Sequence, residues 1–295
     1  MRGRTSAELK QLAKRALLGK YGTAVGAILV NYAVAAGLVM VIYFFAIIGV
    51  FAALFSGNSR ASNAPVIIII IIGVAILFAS LVIEYMLMPG YINLYLNICK
   101  GRRYALGDLL FAFKNTPGKF LLISFIIIGL VVVMTGFNFL ISMVGMLTHS
   151  FVLNIVLDWG SMLLIYVLMF LFYMNFGLTL YILVDEPQKG IMEALRESYR
   201  MMHGNRGRYF RLIISFIGWF LLGYLSIGLA FLWLVPYMGC TFTYFYMDIR
   251  EQQAAAYAVP EEPVQEYMYQ NQREPYRMEQ TEVIPANEEH TEEDI

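Results

Sequence analysis

Residues 24–55 read AVGAILVNYAVAAGLVMVIYFFAIIGVFAALF, a run without one charged side chain. About 20 apolar residues cross the ~30 Å of hydrocarbon in a bilayer, so this run is long enough to span it. A second such run follows at 66–88, and the whole chain of 295 residues is 59% hydrophobic and 14% charged. Soluble domains hold roughly a quarter of charged residues. One compact core has no room for so many apolar side chains, and the pattern predicts an all-α polytopic membrane protein.

Reading outward gives spans at 24–55, 66–98, 120–147 and 152–184, then one unbroken apolar run at 209–249. At 1.5 Å per residue that last run is too long for one crossing and divides into 209–226 and 229–249, with a tight turn near 226–228; one tilted, kinked span is the alternative. Six transmembrane helices result. Lys and Arg in short loops stay on the cytoplasmic side. Arg2, Arg4, Lys10, Lys14, Arg15 and Lys20 precede the first span, five basic residues lie in 100–119 and six in 189–211, while the other loops hold only Arg60. The expectation is a multi-pass cell-membrane protein with both termini in the cytoplasm. The first apolar run is far longer than the 7–15 residues of a signal h-region, so it is read as a retained span.

The basic segments share a pattern: SAELKQLAKRALLGKYGTAVGAILV at 6–30, LGDLLFAFKNTPGKFLLISFIII at 106–128 and GIMEALRESYRMMHGNRGRYFRLIISFI at 190–217. Each joins a short amphipathic helix, a glycine, a basic residue and an aromatic (Lys20-Tyr21, Lys119-Phe120, Arg208-Tyr209) to a span. In the first, Leu9, Leu12, Ala13, Ala16 and Leu17 recur on one helical face, Thr5 and Glu8 form a capping-box pair, and Gly19 is a stop. Such a helix is expected in the membrane interface, with Lys14, Arg15, Lys20, Lys119, Arg206, Arg208 and Arg211 among anionic lipid headgroups. In the third, Gly204 and Gly207 are read as letting the chain turn into the bilayer. The chain thus reads as three units, about 5–100, 101–186 and 187–250, each an interfacial helix plus two spans. True duplication and the common needs of any helix entering from the cytoplasm both account for the pattern. The descending spans also end alike, with Tyr91, Tyr95, Tyr181, Tyr244 and Tyr246 expected as an aromatic belt, and Pro89 and Pro236 expected to kink their helices.

The third unit, with Ser215-Phe216-Ile217-Gly218-Trp219 followed by Gly228, Trp233, Pro236 and Tyr237, resembles the bacterial integral membrane family catalogued as domain of unknown function 975. The start, ELKQLAKRALLGKYG, is similar to the start of the same family, and the resemblance covers roughly 5–250. It implies a polytopic membrane protein, mostly of Gram-positive bacteria, and no particular activity.

The formal net charge of zero conceals two opposed parts: 1–250 holds 19 Lys and Arg against 9 Asp and Glu, while 251–295 holds 2 against 12. The acidic segment, rich in Gln and Pro, cannot bury a core and is expected to be disordered in the cytoplasm. It suits a basic protein partner, the chain's own basic junctions, or a solubilising role. Glu84 is the one carboxylate deep in a predicted span, where an ionised side chain costs at least ~2.5–3.5 kcal/mol. It serves either as an intramembrane ion or proton site, with Asn93 and Asn175 as candidate polar companions, or as a group bonded to a neighbouring helix or lifted to the inner interface by the Pro89 kink; the second reading is favoured. Asn31, Asn93, Asn138 and Asn175 are expected to hydrogen-bond between helices. Cys99 and Cys240 show no disulfide or metal spacing, His149, His203 and His290 are scattered, and no catalytic motif occurs, so no enzyme, cofactor or metal is expected. No nucleic-acid partner is expected either. The leading functional reading is a non-enzymatic membrane scaffold or regulatory protein; the alternative is a transporter or channel-like protein for an ion or small solute, with Glu84 as its site.

Overall fold

The structure is a computed structural model that describes residues 3–55, 64–147 and 150–257; Arg60, His149, His290 and the acidic segment from 258 onward lie outside the described residues. The described residues are mostly helical, with no strand among them. Helix α1 (Ser6–Leu17) begins with the expected capping box: the Glu8 N–H donates to the Thr5 hydroxyl at 3.4 Å and the Thr5 N–H to the Glu8 carboxylate at 2.7 Å. Gly19, at φ +74°, turns the chain into α2 (Tyr21–Phe55). That helix runs antiparallel to α3 (Ala64–Cys99), with Lys20 reaching the Ile98 carbonyl and Tyr91 that of Ala27. A 3-10 turn (Leu106–Leu110) and the short α4 (Phe111–Lys114) lead to the second pair, α5 (Pro117–Leu147) and α6 (Phe151–Phe176), the latter extended by α7 (Thr179–Asp185). Then come α8 (Ile191–Met202), α9 (Arg206–Ile214), α10 (Ile217–Leu225) and α11 (Phe231–Tyr257).

Among the described residues five helical stretches are long and apolar enough to cross a membrane: Tyr21–Phe51, Ile67–Cys99, Pro117–Leu147, Phe151–Asp185 and Arg206–Leu225. The stretch expected as a sixth span lies in α11, a continuous helix whose apolar sequence is broken by Thr241, Thr243 and Asp248, all three buried inside the protein. The run 209–249 turns at Ile227 and Gly228, both with positive φ (53° and 88°). Its arms then pack antiparallel: ring centroids lie 5.6 Å apart at Phe216 and Tyr237 and 5.4 Å apart at Tyr209 and Phe245.

The buried side chains gather where the junctions meet the ends of the descending helices. Leu9, Ala13 and Leu17 of α1 and Ala194, Ser198, Met201 and Met202 of α8 are all buried against this core. The apolar faces expected on lipid therefore rest on protein, because the descending ends offer a complementary apolar surface. Tyr95 and Tyr246 belong to the same core and not to an aromatic belt, although Tyr91, Tyr181 and Tyr244 keep partial exposure. Farther along, Met40, Phe44, Ile71, Val133 and Leu163 are all exposed, the composition of helices that face hydrocarbon.

Three local expectations change. At the third junction Gly204 takes the left-handed turn (φ +83°), while Gly207 lies inside α9. At the second, Pro117 opens α5 and excludes helix before it, so Thr116 (φ +49°) makes the turn and Gly118 is helical. The acidic segment does not start as disordered chain: α11 continues through 251–257, with Glu251 paired to Arg4 at 3.0 Å. The chain divides into two units, Met1–Gln253 and Ala254–Ile295. Pro89 and Pro236 each sit inside one continuous helix, α3 and α11.

Candidate functional site

On α3 the residues Glu84, Tyr85, Met88, Tyr91 and Tyr95 recur at helical spacing and line one wall of a cavity of about 550 Å³. Ile28, Asn31 and Tyr32 of α2 form a second wall; Phe220 of α10 and Phe231, Val235, Met238 and Phe242 of α11 close it. Gly239 lets α11 approach, since a Cβ there would lie 2.4 Å from the Tyr95 ring. Asn31 donates through Nδ2 to Glu84 Oε1 at 3.1 Å. The amide oxygen Oδ1 of Asn31 and the Tyr95 hydroxyl are buried in this wall with no hydrogen-bond partner among the described residues. A basic side chain is missing from the lining, so the Glu84 carboxylate faces aromatic and aliphatic groups with one amide beside it.

The structure brings Glu84 together with Asn31 and not with the companions expected for it. Asn93 stands nine residues after Glu84, half a helical turn off the cavity face, and Asn175 of α6 donates within its own helix to the Leu171 carbonyl at 2.6 Å. Asn138 does bond between helices, to Ser161 at 2.8 Å. Phe220 and Phe231 escaped the sequence reading because nothing in a linear pattern tells which apolar residues of a hairpin meet a carboxylate some 140 positions away.

Several cations expected on headgroups hold backbone carbonyls or carboxylates instead. Lys20 donates to Ile98 O at 3.2 Å, and Lys119 to Lys189 O at 2.7 Å and to Pro187 O; Lys10, which is not among those expected there, donates to Ser215 O at 2.7 Å. These carbonyls lie at helix ends or in loops, and that of Ile98 also accepts from the Gly101 N–H at 3.3 Å. Arg208 pairs with the buried Asp248 and donates to Arg4 O at 2.8 Å and Asn205 Oδ1 at 2.9 Å. Arg206 stands over the Tyr199 ring at 5.2 Å. Lys14, Arg15 and Arg211 remain exposed, Lys14 beside a smaller cavity of about 360 Å³ with Tyr21, Trp219 and Trp233.

A second ionic cluster ties the ends of the helix pairs together. Lys100 at the end of α3 pairs with Asp185 at the end of α7, which also accepts from the Tyr246 hydroxyl at 3.2 Å. Arg250 pairs with Glu186 and, at 3.3 Å, with Glu197; Lys189 bridges the same two carboxylates at 2.8 and 2.5 Å. Burial opposes the charge of Glu186, but hydrogen bonds and charge from Lys189 and Arg250 outweigh it and hold the carboxyl below its usual range. Against the same opposing burial, Glu186 and Glu197 hold Lys189 above its usual value. The two cysteines also meet here: the Cys99 thiol lies 3.9 Å from the carbonyl of the buried Cys240. Among the described residues no group of three or more His, Cys, Asp or Glu gathers to hold a metal.

Over residues 1–253 the chain matches the family described as protein of unknown function (DUF975), and it belongs to that family. The match ends where the first unit ends. No curated protein and no solved structure matches the chain.

Proposed function

We propose that this family member is a non-enzymatic, multi-pass membrane protein that takes a small solute, positively charged or rich in hydrogen-bond donors, into the cavity at Glu84. The observation that carries this reading is a carboxylate set in an aromatic wall and bonded to Asn31, with the buried, unpartnered oxygens of Asn31 and Tyr95 on residues of the same lining. Apolar pockets with a few convergent polar groups are the usual form of ligand sites, and aromatic faces favour cations. Three helix pairs opening from one cytoplasmic side, with both termini there, provide the frame; exposed Lys14, Arg15 and Arg211 suit anionic headgroups. Purified protein in proteoliposomes, offered a panel of organic and inorganic cations, is expected to bind or pass at least one, and Glu84→Gln to lose that response. A full panel without binding or flux would sink the reading.

A second reading, an interaction scaffold acting through the acidic segment, is supported by the pairing of Glu251 with Arg4, which starts that segment on the basic N-terminal junction. Affinity capture with the full chain against a chain ending at Arg250 tests it: loss of a specific cytoplasmic partner supports the scaffold, and identical captures exclude it.

A further inference from the structure

The hairpin of α10 and α11 sits low beside its neighbours. Gly239 abuts the Tyr95 ring, and the Tyr244 hydroxyl donates to Cys99 O at 3.3 Å, so α11 lies beside the cytoplasmic end of α3. Eight residues back from Gly239, about 12 Å at 1.5 Å per residue, lies Phe231, and it shares the cavity with Glu84 and Tyr32. The tip of the hairpin is therefore level with Glu84 and Asn31. From there α3 runs on from Glu84 to Ile67, about 26 Å, and α2 from Asn31 to Phe51, about 30 Å. That remainder takes up nearly the whole hydrocarbon thickness of about 30 Å. If α2 and α3 cross, the tip has barely entered.

We infer that the third helix pair dips into the cytoplasmic half of the bilayer and turns back at 226–230 without crossing, and that its partner is the acyl chains of that leaflet. This departs from the expectation of six spans. The tip has the surface for it: Leu225, Ile227 and Leu229 are 82%, 94% and 62% exposed, and Trp219, Tyr224 and Trp233 are exposed around them, the residue types that settle at a membrane interface. Its backbone is also prepared for hydrocarbon. Ser226, Ile227, Gly228 and Leu229 donate to carbonyls within the hairpin at 2.9–3.1 Å, and the Ala230 N–H donates to the Ser226 hydroxyl at 2.9 Å. A loop in water has no need of that closure, whereas a turn among lipid tails has no other source of acceptors. Arg206–Leu225 has the length and composition to cross, but counted from its last cation, Arg211, the ascending arm covers only about 21 Å to Leu225.

The test places cysteines at Ile227→Cys and, for comparison, at Leu147→Cys, at the far end of α5, in the full chain. Membrane-impermeant maleimide is applied from each side in turn, then after detergent. Ile227→Cys is expected to react only in detergent, and reaction from either side of an intact membrane overturns the inference. A bimane on the same cysteine then assigns the leaflet. Brominated lipid exchanged into the outer leaflet alone should leave its fluorescence unchanged, while brominated lipid in both leaflets should quench it. Quenching by the outer leaflet alone would mean that the hairpin crosses.

Discussion

The buried pair of Arg208 and Asp248 decides whether the third junction is held by protein or by lipid. The Asp248 side chain is 6% exposed and accepts from Arg208, from the Arg4 N–H at 3.3 Å and from Gln252 at 2.6 Å; the Arg208 side chain is 18% exposed. Asp248→Asn keeps the shape and removes the charge, leaving a guanidinium without its counter-ion. Breaking a buried pair in this way costs about 3–5 kcal/mol, and the lower end applies because Arg208 keeps the carbonyl of Arg4 and the amide of Asn205. A loss of about 3 kcal/mol lowers the melting temperature of a chain this size by roughly 6–12 °C. The control is Glu251→Gln, whose carboxylate is 56% exposed in its pair with Arg4 and which should cost at most about 1 kcal/mol. Thermal unfolding in detergent, and again in bilayers with and without anionic lipid, reads both variants and Arg208→Gln. Equal, small losses for Asp248→Asn and Glu251→Gln would refute the argument, as would an Arg208→Gln loss present only with anionic lipid.

Acid should act through Glu186. Its carboxyl is held below the usual 4.5, so its contribution is complete above that value and disappears as pH falls through the lower, folded value. Lys189, held above 10.5, keeps its share until the medium is strongly alkaline, so melting curves of the unaltered protein and Glu186→Gln should differ near neutrality and converge in acid. Gly90→Ala should abolish folding or cost at least about 3 kcal/mol, because its Cβ would stand 2.1 Å from the Leu109 carbonyl oxygen, which is backbone and cannot yield; a normal yield and melting temperature would contradict this. Gly239→Ala meets the Tyr95 ring at 2.4 Å and should cost about 1–3 kcal/mol, much of it restored by adding Tyr95→Leu. Cys240, fully buried, should resist thiol reagents until the protein unfolds, and prompt labelling in native membranes would show that α3 and α11 are not packed as described.

Much of the helix placement was legible because its causes are local. The capping box of Thr5 and Glu8, the stop at Gly19 and the turn of the 209–249 run near Gly228 rest on neighbouring residues alone. The candidate site was legible only in Glu84. Its partner Asn31 lies 53 positions away, and of the five asparagines and glutamates weighed for intramembrane roles nothing local separates Asn31 from Asn93. For the same reason the protein partners of Lys20, Lys119, Arg206 and Arg208 are not legible, while Lys14, Arg15 and Arg211 stay exposed. Lys and Arg near a helix end satisfy a headgroup, a carbonyl or a carboxylate equally well, and the choice of Asp248 for Arg208 or the 187–189 loop for Lys119 depends on which surfaces meet.

Composition and period therefore settle the class of this protein: apolar runs longer than a bilayer is thick leave helices in a membrane as the economical way to satisfy each backbone group, and that holds whatever the helices touch. Tertiary packing alone decides what the amphipathic junctions and their charges do. An apolar face is free energy without an address, satisfied by lipid or protein alike, and only the folded arrangement shows that α1 and α8 rest on the ends of α3, α7 and α11. The same holds for depth, since hydropathy counts residues and not levels. That the tip of the last hairpin stands beside Glu84, with some 26 Å of α3 still to run, follows from which side chains share a cavity.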